Sequence, residues 1–173
     1  AASFHEALAI KPGFAEAHYN LGSVLKEQGR LNEAIASHLR ALAIKPDYAE
    51  AHNNMGITLE AMGKLDEAVA SYHKALAIKP DYAEAHSNLG LTLYDLGKLE
   101  DAVDSYQKAL TLKPDFAYAH NNLGNALQDL GKSEDAIASY RKALALKPDY
   151  AEAHYKIANV FHELDAVSKN MFT

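Results

Sequence analysis

Nine histidines in a chain without cysteine are the first residues to invite a chemical reading, because imidazole serves as metal ligand, acid and base near neutral pH. Five of them, His18, His52, His86, His120 and His154, recur at a constant interval of 34 residues. A metal holds its nitrogen ligands at about 2.1 Å, whereas packed helices stand roughly 8–10 Å apart, so residues repeated from helix pair to helix pair do not converge on one ion. This column is expected to pack or to hydrogen-bond. A second column runs beside it: Asn20, Asn54, Asn88 and Asn122 keep the same interval, two residues further along. A primary amide offers both a donor and an acceptor, which is what a peptide backbone requires from a partner indifferent to side chains. These four, together with Asn53, Asn121 and Asn125, are the candidate peptide-binding residues, expected on an open surface. Extended peptide rises about 3.3 Å per residue, so helices roughly 8–10 Å apart meet about every third ligand residue. Lys156 breaks the column, and a backbone grip is expected to end there.

No other combination of residues supports chemistry. There is no His-Glu-x-x-His, no glycine-rich phosphate loop and no set of nucleophile, base and orienting group. Ser37 beside His38 reads as ordinary helix surface. Zero cysteines remove a disulfide framework, a thiolate metal site and a cysteine nucleophile together. The chain is read as a non-enzyme with no catalytic, cofactor-binding or metal residues. A net charge of -6 argues against nucleic acid, whose phosphates are bound by clustered Lys and Arg. No apolar run approaches the roughly 20 residues of a membrane span, so no membrane partner is expected.

The elements that carry these columns follow from the five prolines. Pro12, Pro46, Pro80, Pro114 and Pro148 are spaced by the same 34 residues, the mark of a repeat array. Counting each unit from the Ala after the aromatic, full repeats are 15–48, 49–82, 83–116 and 117–150. Residues 1–14 are the second-helix remnant of a preceding repeat, 151–165 the first helix of a partial one, and 166–173 a tail or improvised cap. Ala1 falls in mid-unit, so the chain is read as a piece of a longer protein. In each unit "PDYAEAH" reads as a helix start, with Asp47, Asp81 and Asp149 capping and Glu50, Glu84 and Glu152 completing a capping box. Glu16, Glu50, Glu84 and Glu152 also form an acidic ladder suited to a basic ligand, which the capping box accounts for without one. Gly29, Gly63, Gly97 and Gly131 stop the first helix. A second amphipathic helix, such as "KLDEAVASYHKALAI", ends at the next proline. Gly22, Gly56, Gly90 and Gly124 lie in mid-helix, where Gly costs roughly 1 kcal/mol against Ala, so a close approach by the second helix is expected. Tyr48, Tyr82, Phe116 and Tyr150 are expected to wedge between helices, and Glu27, Asp95, Asp129 and Glu163 to face a partner.

Positions 4, 7, 8, 11, 20, 24, 27 and 32 of the third unit are His86, Leu89, Gly90, Leu93, Ala102, Tyr106, Ala109 and Pro114. This pattern resembles the tetratricopeptide repeat, W-x2-L-G-x2-Y…A-x3-F…P, over nearly the whole chain, with His in place of Trp and Leu in place of the first Tyr. The resemblance implies an all-α superhelix of antiparallel helix pairs whose first helices line a concave groove, and a scaffold that holds a peptide or partner protein there. The His-then-Asn first helix is also similar to the repeat arm of the O-linked N-acetylglucosamine transferases. Two alternatives follow: a substrate-selecting arm of a larger enzyme such as a glycosyltransferase, or a self-assembling scaffold. A co-chaperone clamp for a carboxylate fares badly, because only Lys26 and Lys156 are basic among the groove positions. Homo-oligomers through apolar ends are expected, from Phe4, Ala7, Leu8 and Ile10 at one end and Val167, Met171 and Phe172 at the other. A cytoplasmic location is the expectation for the compartment.

Overall fold

The structure, a computed structural model, describes residues 13–170, and the side chains of these up to His162. Of the apolar residues expected to expose the two ends, Phe4, Ala7, Leu8, Ile10, Met171 and Phe172 therefore lie outside the described residues, as does the side chain of Val167. Among the described residues nine helices and no strand occur: α1 (Ala15–Glu27), α2 (Leu31–Ile44), α3 (Ala49–Ala61), α4 (Leu65–Ile78), α5 (Ala83–Asp95), α6 (Leu99–Leu112), α7 (Ala117–Asp129), α8 (Ser133–Leu146) and α9 (Ala151–Asn170). They belong to two compact units, one ending at Thr92 and the other beginning at Leu93.

In the first unit α1 packs on α2, α2 on α3, and α3 on α4. In the second, α6 packs on α7, α7 on α8, and α8 on α9. Each first helix ends at its glycine for a geometric reason. Gly29, Gly63, Gly97 and Gly131 have φ of 72° or 73°, where a Cβ is strained, and the next residue bonds back to the helix, as in Lys64 N–H to Leu59 C=O at 2.9 Å. Each second helix stops before the Pro-Asp turn, and Lys45, Lys79, Lys113 and Lys147 donate the last backbone bond at 2.8 Å.

The helix starts differ from the capping box read in the sequence. The N-cap is the aromatic residue itself: Ala51 and His52 N–H both bond to the Tyr48 carbonyl at 3.1 Å, and no side chain caps α1, α3 or α7. The glutamate is thus the second helical residue and not the third, one place too early to reach back to the cap. The other end of the array differs too. Asp165 stands where the stop glycine belongs, and α9 runs on to Asn170, past the expected boundary at 165.

The core is built from the mid-helix glycines. A Cβ on Gly56 would lie 2.6 Å from the Tyr72 ring, one on Gly124 2.5 Å from Tyr140, and one on Gly22 2.6 Å from His38. Tyr72 and Tyr140 are fully buried over these gaps. Burying such a ring contributes on the order of 1.5–3 kcal/mol, more than the roughly 1 kcal/mol that a helical glycine costs.

Candidate functional site

The histidine column is a loop staple. His52 Nε2 lies 3.1 Å from the Pro46 carbonyl, and His86, His120 and His154 repeat the contact to Pro80, Pro114 and Pro148 at 3.0, 2.9 and 2.9 Å. Each imidazole ties the start of a first helix to the turn before it. His52 and His120 are buried, which lowers their pKa below the usual histidine value against the opposing pull of the proline carbonyl. A neutral ring donating from Nε2 fits both facts.

Ser37 and His38, read as helix surface, are in fact buried in the first unit. His38 occupies the place that Tyr72 and Tyr140 fill in other repeats. Neither of its ring nitrogens has a hydrogen-bond partner, and burial followed by the charge of Lys26 lowers its pKa to about 4.

The asparagines form a hydrogen-bonded chain from repeat to repeat. In the first unit Asn88 Nδ2 donates to Asn53 Oδ1 at 3.0 Å, and Asn53 Nδ2 donates to Asn54 Oδ1 at 3.3 Å. Asn54 Nδ2 then donates to Tyr19 Oη and Ser23 Oγ, both at 3.1 Å. Asn20, Asn54, Asn88 and Asn122 are half-buried. Among the described residues Asn20 makes no side-chain hydrogen bond, and the Asn88 Oδ1 has no partner. Asn53 and Asn121 correct the expectation of an open surface: they are 4% and 0% exposed. Both polar ends of the Asn53 amide are used, Oδ1 by Asn88 of the following repeat and Nδ2 by Asn54.

The second unit uses the same positions with a different partner. Asn121 Nδ2 donates to Glu152 Oε1 at 3.1 Å, and more weakly to Asn122 Oδ1 at 3.5 Å. Half-buried Asn125 reaches the same Glu152 oxygen from Nδ2 at 3.4 Å, while its Oδ1 accepts from Tyr140 Oη at 2.8 Å. Asn121 Oδ1 is buried without a partner. Its equivalent, Asn53 Oδ1, receives Asn88 of the following repeat; here the corresponding residue is Lys156. The broken column noted in the sequence therefore orphans an acceptor.

The acids at the end of the first helix are exposed. Asp129 accepts from Tyr94 Oη at 2.6 Å, which with burial pushes the Tyr94 hydroxyl up to about 12. Glu27 and Asp95 stand in solvent, and the Glu163 side chain lies outside the described residues. Sequence reasoning missed Glu60. Its Oε2 takes hydrogen bonds from Tyr72 Oη at 3.2 Å and Thr92 Oγ1 at 2.7 Å, tying α3 to α4 and α5. A shallow cavity of about 690 Å³ lies between second helices α6 and α8, lined by Leu110, Pro114, His120, Leu123, Lys142 and Leu146 among others. No group of metal-binding residues and no helix long and apolar enough to cross a membrane occur among the described residues.

A family model described as TPR repeat matches residues 22–63, 60–97, 90–131 and 129–165, and one described as tetratricopeptide repeat matches residues 4–36. No curated protein matches the chain. Solved structures are similar to it. PilF of Pseudomonas aeruginosa is 25% identical, with a TM-score of 0.81 over 88% of this chain and 69% of that one. MamA is 26% identical at a TM-score of 0.77, covering 86% of this chain and 87% of its own. YrrB, described as a TPR protein with an unusual peptide-binding site, is 22% identical at 0.79, over 94% and 84%.

Proposed function

The chain belongs to the tetratricopeptide repeat family, and from that premise we propose that it is a binding scaffold, without chemistry of its own, that holds an extended peptide along the first-helix face of each unit. The observation that carries this reading is the fixed amide row. Asn88 is anchored through Nδ2 and leaves Oδ1 without a partner, and half-buried Asn20 keeps both polar ends available. An amide held in place by its neighbour loses little rotamer entropy when a ligand N–H arrives, so the bond to ligand is retained more fully. Asn54 extends the row in the first unit, and Asn122 with Asn125 supplies its counterpart in the second. Asn53 and Asn121 serve from beneath, setting the orientation of the amides above them.

The test is affinity for extended peptides after replacing Asn20, Asn88 and Asn122 by Ala, singly and together. Each replacement is expected to weaken binding by about 0.5–1.5 kcal/mol, the worth of one net hydrogen bond. Thermal midpoints measured alongside separate lost ligand contacts from lost inter-repeat bonds. Unchanged affinity in the triple variant rejects the amide row as the gripping element.

A further inference from the structure

The second unit carries a feature that a backbone grip does not use. Glu152 holds two amide donors on Oε1, from Asn121 and Asn125, so the carboxylate is fixed in orientation while its Oε2 has no partner among the described residues. The other end of the Asn121 amide, Oδ1, is a fully buried acceptor with nothing to accept. The free oxygen of an exposed carboxylate held in a fixed orientation calls for a cationic donor. Exposed rings lie on both helices. Tyr155 lies one turn beyond Glu152 on α9 and is 64% exposed; Tyr118 lies one turn before Asn121 on α7 and is 55% exposed. Tyr118 already takes a cation, since the Lys147 ammonium sits 5.3 Å from its ring centre and 5.0 Å from that of Tyr150. Tyr118 and Tyr150 meet edge to face at 5.4 Å, and Tyr118 replaces the glutamate that other repeats carry at this position.

We infer that the face between α7 and α9 is a specificity pocket for a basic side chain, arginine above all, of a bound peptide. The inference rests on the peptide-binding reading above and adds a residue preference to it. A guanidinium supplies several donors in a plane: it meets Glu152 Oε2 with a charge-assisted hydrogen bond and lays its face on Tyr155 or Tyr118. Burial, then Glu152 and Tyr118, push the Tyr150 hydroxyl up to about 12, so this aromatic stays neutral beside the ligand. Two cations oppose the ligand, Lys147 over the aromatic pair and Lys156 one turn from Glu152. Lys147 is engaged with the rings, and Lys156 forms no ion pair with Glu152 among the described residues. A ligand guanidinium therefore competes with solvent and not with a formed salt bridge.

The experiment titrates the chain with a blocked peptide, acetyl-Gly-Ala-Arg-Ala-Gly-amide, and with the same peptide carrying citrulline or glutamate in place of arginine, following backbone and side-chain amide NMR signals. The expected result is that arginine shifts the Asn121 and Asn125 side-chain amides. Citrulline is expected to bind about tenfold more weakly or worse, the worth of one hydrogen bond to a charged group. Glu152→Gln and Tyr155→Ala each weaken the arginine peptide without affecting the citrulline one. Tyr155 is exposed, so this second variant keeps the test open if Glu152→Gln disturbs folding. Equal binding of arginine and citrulline, or of wild type and both variants, overturns the pocket and leaves the groove standing. Failure of all three peptides to bind anywhere removes the groove reading and the pocket with it.

Discussion

His38 is the residue at which acid should weaken the first unit. It is fully buried against Gly22, with Tyr19 6.2 Å away ring to ring, and neither nitrogen has a partner. Burial, with Lys26 adding repulsion, lowers its pKa from 6.5 to about 4, so the folded chain keeps it neutral while the unfolded chain protonates it below about 6.5. The group's folded pKa is depressed, so its contribution is complete above the unfolded value and is lost as pH falls from about 6.5 toward about 4. At about pH 4.5 the shift corresponds to a loss of about 2.5 kcal/mol relative to neutral pH, at about 1.4 kcal/mol per unit. The matching perturbation is His38→Tyr, because Gly56 leaves the same gap for the ring of Tyr72 that Gly22 leaves for His38. Urea unfolding of wild type and variant, at neutral pH and at about pH 4.5, gives a difference of differences in which the carboxylates common to both chains cancel. The variant should gain about 2.5 kcal/mol on wild type between the two pH values. An equal gap at both pH values would refute the argument, showing that the imidazole is hydrated or paired in the folded chain.

Three further substitutions test the packing. Glu60→Ala removes the acceptor shared by the buried hydroxyls of Tyr72 and Thr92, and should lower stability by about 1–3 kcal/mol in chemical denaturation. Gly56→Ala improves helix propensity by about 1 kcal/mol yet forces a Cβ to within 2.6 Å of the Tyr72 ring; overpacking of about 1–3 kcal/mol should win, and a raised melting temperature would show that the ring yields freely. Lys156→Asn returns a donor to Asn121 Oδ1, and is expected to stabilise by about 1 kcal/mol, read by thermal melts.

The repeat frame was legible because its signals are local and strong. Pro80 cannot continue α4, Gly63 adopts φ of 72° as the stop position requires, and the mid-helix Gly56 announces the ring that fills its gap. The capping box was misplaced because "PDY" puts two cap-competent groups next to each other, an Asp side chain and an aromatic carbonyl, and the backbone takes the carbonyl of Tyr48. That shift by one residue frees the glutamates: Glu50 pairs with Lys79 at 3.6 Å, and Glu152 goes to Asn121 and Asn125. The asparagine column was visible as a spacing, yet nothing in one chain's sequence says which neighbour an amide reaches. Asn53 and Asn54 are adjacent and alike in type; one is buried because the following helix covers it, the other half-open because it lies at the edge. Ser37 and His38 read as helix surface when taken by themselves, and both are buried. Alignment with Tyr72 and Tyr140 across the repeats was the signal that places His38 in the core.

The most direct test of the scaffold reading is a structure of the chain with an extended peptide bound. The account predicts the peptide on the first-helix face of a unit, its backbone N–H and C=O groups paired with the amides of Asn20, Asn54 and Asn88 in the first unit or of Asn122 in the second. A peptide seated instead between the second helices, in the cavity beside Leu110 and Leu146, or held only by side chains with the asparagine amides facing away, would contradict it.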